Sequence, residues 1–237
     1  MSISSKLDQF HAQVKHNRSL WYFSIFNRIA LAAGFLPSGF VKINGERFTA
    51  LSNNHPMGHY LEALFHTGYY YPFIGVMQML AAILILIPRT VTLGALIYFP
   101  IILNICILSL AVRFEGSHIT APLMVLANLY LLCWNYDKIK YIFPFNTTSL
   151  DATQKQKKLS KKFPTVFFAG VVATVVLAVL IFLKVYDVMP RNTIAECKQQ
   201  FEGSNRTRAG NDFCECIHTH GQPLDQCLAT YEKAPDD

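Results

Sequence analysis

Residues 91–112 read VTLGALIYFPIILNICILSLAV, a run without a single Asp, Glu, Lys or Arg. A helix needs about 20 consecutive apolar residues to cross the hydrocarbon of a bilayer. In lipid, backbone N–H and C=O groups must pair within their own segment, so a run of this kind reads as a transmembrane helix. Four further runs read the same way: 20–41, 70–87, 119–134 and 164–183. Only the first carries a charge, Arg28. The 237-residue chain is 52% hydrophobic and 15% charged, against about 25% charged in soluble domains. This excludes a secreted soluble enzyme, a disordered tail and a nucleic-acid module. The fold class expected is an all-α membrane protein: a four-helix transmembrane bundle (20–135), a fifth transmembrane helix (164–186) and a small disulfide-stapled helical tail (187–237).

The net charge of +6 is a topology signal. With the N-terminus inside, the inner segments are 1–19, the link at Arg89, and the basic linker 136–163 with its neighbour Asn135. They carry eleven Lys/Arg and three acids, whereas the outer segments carry nine Lys/Arg and twelve acids. Lys155, Lys157, Lys158, Lys161 and Lys162 stand immediately before the fifth span. Excess Lys/Arg marks the cytoplasmic side, so the expectation is a multi-pass inner-membrane protein, N-terminus cytoplasmic and C-terminus extracytoplasmic. The lysine cluster also suits anionic lipid head groups. No cleavable signal is visible, and Leu7, Phe10 and Val14 sit at helical spacing in an interfacial amphipathic segment, 1–19.

Four of the six cysteines, Cys197, Cys214, Cys216 and Cys227, fall in the tail. An even cluster in a short polar segment on the oxidising side reads as two disulfides. A tail this small has a marginal core of its own and needs such staples. Cys214 and Cys216 are too close in sequence to bridge each other, so each is expected to pair with Cys197 or Cys227. A competing reading is the alternation Cys214, Cys216, His218, His220, which on an extended chain faces a thiophilic metal from one side. The disulfide reading needs no unusual ligand spacing and is preferred, with no metal site expected. Cys106 and Cys133 read as apolar filler within the spans.

Polar groups inside spans are costly and are suspects for function. Arg28 lies roughly 12 Å into the first span at about 1.5 Å per residue. Gln78 and Asn128 sit near mid-span, Asn104 in the outer half of the third span, and Lys42 at the exit of the first. No span supplies a carboxylate to Arg28. It is expected to point into the bundle near Gln78 and Asn128, either as a structural arginine or touching an anionic or carbonyl-bearing ligand. In the fifth span, Gly170, Thr174 and Ala178 recur every four residues, a small-residue row that would let another helix dock.

Arg28-x5-Gly34 followed by Ser38-Gly39-Phe40-Val41-Lys42, the long outer loop, and the stretch Arg113–Leu132 resemble the DoxX-like family of integral membrane proteins over about residues 20–140. Where many members carry an acid in the second helix, this chain has Gln78. The resemblance implies a four-helix bundle and, in some members, association with quinone-linked or thiol-redox processes. It suggests a subunit supporting a redox or envelope process and contacting quinone or lipid near Arg28. The alternative is a non-catalytic scaffold whose fifth helix and tail dock other membrane subunits. No motif of a known catalytic centre is present, so an enzymatic role is left open.

Overall fold

A computed structural model describes residues 11–140 and 160–237. These residues are helical throughout, joined by turns, with one isolated bridge between Asn17 and Ser160. Residues 11–15 are helical. They lie against the end of the bundle, where Lys15 pairs with Asp137 at 2.6 Å and His11 bonds the Trp134 carbonyl. Leu7, Phe10 and most of the basic linker lie outside the described residues.

The first long helix, α1 (Arg18–Ile43), starts at Asn17, whose side chain accepts from the amides of Ser19 and Leu20. That contact satisfies two of the orphan donors of a helix start. A short helix, α2 (Pro56–Phe65), is capped by the His55 ring, which accepts from Met57 N, and has Pro56 at its first position. It meets α3 (Tyr70–Leu86) at a 99° bend, with Gly68 at φ +66 in the connection. Helices α4 (Val91–Ala111), α5 (Thr120–Trp134) and the one-turn α6 (Tyr136–Ile139) follow.

Helices α1, α3, α4 and α5 form a four-helix bundle in which α1 and α4 each pack between α3 and α5. Its core holds Leu31, Phe35, Ala82, Ile85, Tyr98 and Leu131. The Phe35 and Tyr98 rings stack at 3.6 Å, and the Tyr98 hydroxyl donates to the Leu31 carbonyl. Glycines set the closest crossings: a Cβ on Gly75 would lie 2.7 Å from the Gly39 carbonyl oxygen, and one on Gly94 would lie 2.6 Å from Ile85 N.

Helices α1, α4 and α7 (Thr165–Lys184) are long and apolar enough to cross a membrane, and the bent α2–α3 pair passes the same test as a unit. Helix α5, at 15 residues, is shorter. These are the lengths and compositions of a multi-pass membrane protein. The expected second span is thus one arm of a bent pair, because the polar turn around Thr67–Gly68 ends the apolar run.

Helix α7 has no buried residue. It meets the bundle through rings at one end, with Phe167 and Phe168 5.9 and 5.5 Å from Phe23. The tail contains α8 (Ile194–Gln199), α9 (Thr207–His218) and α10 (Leu224–Lys233) around Phe201, Phe213 and Ile217. Disulfides join Cys197 to Cys214 and Cys216 to Cys227. The alternating metal reading fails here, because Cys214, Cys216 and His218 lie on a helix and both cysteines are bridged. Cys106 is buried as expected, whereas Cys133 is exposed.

The tail docks on one end of the bundle. Tyr186 donates to the Leu110 carbonyl and Arg113 to the Val188 carbonyl, each at 2.6 Å. Arg191 pairs with Glu115, and Asn54 donates to the His218 carbonyl at 2.7 Å. We call this the tail end and the opposite one the linker end.

Candidate functional site: a lysine-headed cavity in the bundle

Below the tail end, the four bundle helices and α2 enclose a cavity of about 670 Å³. Its polar lining includes Ser38, Lys42, Gln78, Asn104, Ser109 and Thr120, and the rest is mainly apolar and aromatic. Among the described residues, Lys42 is the only charged one that lines it. The Gly39–Gly75 crossing brings α1 and α3 close enough to set Lys42 and Gln78 on the same wall.

Lys42 is 6% exposed. A lysine at the end of a span would ordinarily stretch its ammonium into water. Here the loop after α1 folds back and places the Phe48 ring 4.3 Å from Nζ, with Tyr71 at 6.0 Å. The fold-back is fixed by Tyr71, whose hydroxyl donates to the Glu46 carbonyl and accepts from Phe48 N, both at 3.0 Å. Nζ donates to Ser38 Oγ at 2.7 Å and to the Ser38 carbonyl at 3.1 Å. Ser38 Oγ in turn donates to Gln78 Oε1 at 3.3 Å. An ammonium has three donors, so one remains for a ligand. No carboxylate contacts it among the described residues.

Helix α2 covers the cavity with Met57, Tyr60, Leu61 and Leu64. Arg47 holds the preceding loop to it, donating to the carbonyls of Leu51 and Gly58 and pairing with Glu62 at 2.9 Å. On the flank, Pro100 and Asn104 line the cavity one turn apart on α4, and both are exposed. The cavity lining therefore reaches exposed residues near the middle of an apolar helix.

The expected cluster of Arg28, Gln78 and Asn128 does not form. Arg28 Nε donates to the Ile85 carbonyl at 2.7 Å, and a terminal guanidinium nitrogen bonds the Leu86 carbonyl. These are orphan carbonyls at the C-terminus of α3, where a cation is favoured by unpaired acceptors and by the helix dipole. Ile85 lies seven residues beyond Gln78, about 10 Å along the helix. Asn128, fully buried, donates to the Ala95 carbonyl at 3.1 Å and ties α5 to α4. Of the five sequence candidates, Lys42, Gln78 and Asn104 share the cavity, while Arg28 and Asn128 do not line it.

Gly170 and Thr174 line a separate apolar groove of about 790 Å³ between α7, α1 and α5; Ala178 does not. That part of the small-residue row faces the chain's own bundle across the groove. A third cluster lies at the tail end. The His55 ring, 1% exposed, lies 6.1 Å from Phe114 and 6.0 Å from His218 of the tail. Burial and the neighbouring His218 push its pKa down to about 4, against a backbone hydrogen bond at Arg191.

No family model matches the sequence, and no solved structure matches it. The chain is similar to the uncharacterized protein YwoB of Bacillus subtilis (strain 168), 37% identical over 86 residues, 36% of this chain. The matched segment spans 54% of the length of that relative.

Proposed function

We propose that this chain is a multi-pass inner-membrane protein that holds a lipid-soluble molecule in the bundle cavity, its polar head against Lys42. It would serve as a DoxX-like ligand-binding subunit of a redox or envelope process, with quinones among the ligands to be tested. The observation that carries the reading is a buried ammonium with a free donor, at the wall of a cavity of about 670 Å³. Ligand sites are typically apolar cavities of about 300–1,000 Å³ with a few convergent polar groups. The charge asymmetry of the connecting segments supports placing the tail end outside. The ligand head then sits toward the extracytoplasmic leaflet, and the oxidising side suits the tail disulfides.

The test is purification of the full chain in mild detergent, with mass spectrometry of extracted small molecules and of bound proteins. Wild type should carry a lipid-soluble molecule that Lys42→Met loses. A cavity occupied equally in both proteins, or in neither, contradicts the reading. The scaffold alternative is favoured by one observation: α7 has no buried residue, leaving much of its surface for other membrane subunits. Stoichiometric recovery of a membrane protein, lost when α7 is replaced by an unrelated apolar helix, would support it.

A further inference from the structure

We infer that the cavity's ligand is an amphiphile with one anionic head, a carboxylate or phosphate, and one apolar chain that enters from the bilayer through the opening beside Pro100 and Asn104. This deepens the reading of the cavity as a ligand site and rests on it. Three observations carry the step. First, Lys42 is buried and its side-chain acceptors are a neutral hydroxyl and a carbonyl. Buried charges are normally paired, because a lone ion out of water is costly. Second, none of the acids nearby pairs with Lys42: Glu62 is engaged with Arg47 and Glu115 with Arg191, and Glu46, four residues on, is exposed and makes no ion pair with it. Among the described residues no Asp or Glu lines the cavity, so on this proposal the counter-charge comes with the ligand. A neutral quinone carbonyl could accept the third N–H but would leave the charge uncompensated.

The third observation concerns access. Pro100 is near the middle of the 21-residue α4, and Asn104 is one turn closer to the tail end. An opening at that depth faces hydrocarbon, which admits an acyl or isoprenoid chain and disfavours a hydrated small anion. Toward the tail end, Met57 and Leu61 of α2 close over the head-group region, with Arg47 fixing that helix to its loop. The anion then accepts from Lys42 Nζ, with Ser38 and Gln78 ordering the ammonium, while the chain lies toward Ile101 and Ile105.

The experiment uses the full chain in nanodiscs of zwitterionic phosphatidylcholine and measures binding of radiolabelled palmitate. Competitors are hexadecyl phosphate, hexadecanol, a decyl-chain benzoquinone, acetate and inorganic phosphate. Hexadecyl phosphate should compete like palmitate, and hexadecanol and the quinone at least about tenfold more weakly, the scale of a charge-assisted hydrogen bond. Acetate and inorganic phosphate should not compete. Lys42→Met should lose at least about tenfold in palmitate affinity and Lys42→Arg should keep most of it, with both variants retaining the wild-type melting profile. A Lys42→Met protein that melts early moves the decision to Lys42→Gln and to the competitor series in wild type. Equal competition by hexadecanol or the quinone, or palmitate binding unchanged by Lys42→Met, would overturn the anionic head while leaving the cavity as a site. Competition by free phosphate as strong as by its lipid analogue would overturn entry from the bilayer. Failure of every amphiphile to bind would sink the cavity reading with it.

Discussion

Replacing Gly75 with alanine tests the packing that holds Lys42 in place. The added Cβ would sit 2.7 Å from the Gly39 carbonyl oxygen and 2.9 Å from Lys42 Cβ. An ordinary van der Waals contact begins at 3.4 Å, so α1 and α3 must part by about 0.7 Å locally. The opposing atom is backbone, so it cannot rotate away. Overpacking of this kind costs about 1–3 kcal/mol, partly offset by alanine's better helix propensity, worth about 1 kcal/mol over glycine. Gly39→Ala meets Gly75 O and Met79 Cγ, both at 2.8 Å. Each single variant should lose net stability in reversible denaturation in micelles. Because each contact is with the other glycine, the double variant should lose less than the sum, a coupling of at least about 0.5 kcal/mol. Gly170→Ala is the control: nothing lies within 4 Å of its Cβ, and it should be neutral or mildly stabilising. Additive effects at 39 and 75, or Gly75→Ala behaving like Gly170→Ala, would show that the helices do not cross this closely.

Other consequences concern the tail and the linker end. His55 has a folded pKa of about 4, below the ordinary value of about 6.5. The unfolded or undocked state therefore binds the extra proton first, so stability is intact above pH 6.5 and falls as pH drops toward 4, by about 2–3 kcal/mol at pH 4.5. With the intrinsic exchange rate at each pH divided out, protection across 187–221 should fall at pH 4.5, and His55→Asn, which can still cap α2, should flatten that dependence; equal loss of protection in both proteins would refute the assignment to His55. Cys197→Ser should cost the tail about 2–5 kcal/mol, read as faster proteolysis of residues 187–237 while the bundle persists; unchanged digestion counts against the bridge. Arg28→Leu should cost about 1–2 kcal/mol by freeing α3 carbonyls and leave ligand binding at the cavity unchanged. A selective loss of ligand would return Arg28 to the site.

The helical bundle was legible because uncharged apolar runs leave the backbone few alternatives in lipid. Span boundaries were less so: the bend between α2 and α3 depends on a turn at Gly68, and the run 70–87 alone does not show which arm continues the crossing. The pairing of the tail cysteines was narrowed by the tight spacing of Cys214 and Cys216 and then resolved by the helix that carries both. Lys42 was visible as a polar residue at a span exit, but its burial was not. It depends on Phe48 folding back through two Tyr71 hydrogen bonds, which no periodicity encodes. Arg28 was misplaced because its acceptors are main-chain carbonyls, which every residue has. Tail docking was hidden for the same reason, since Leu110, Val188 and His218 all contribute carbonyls. His55 reads in sequence as one histidine of a polar loop; its contact with His218 spans 163 positions.

Photo-crosslinking tests the central claim, that a lipid-soluble ligand lies in the cavity headed by Lys42, most directly. A palmitate analogue with a diazirine in mid-chain would be irradiated with the full chain in nanodiscs, followed by peptide mapping. The adducts should fall on residues 100–109 and 70–78, should be displaced by unlabelled palmitate, and should be lost in Lys42→Met. Displaceable adducts instead at Phe23, Tyr130 and Gly170, unchanged by Lys42→Met, would place the ligand in the groove beside α7 and contradict the account.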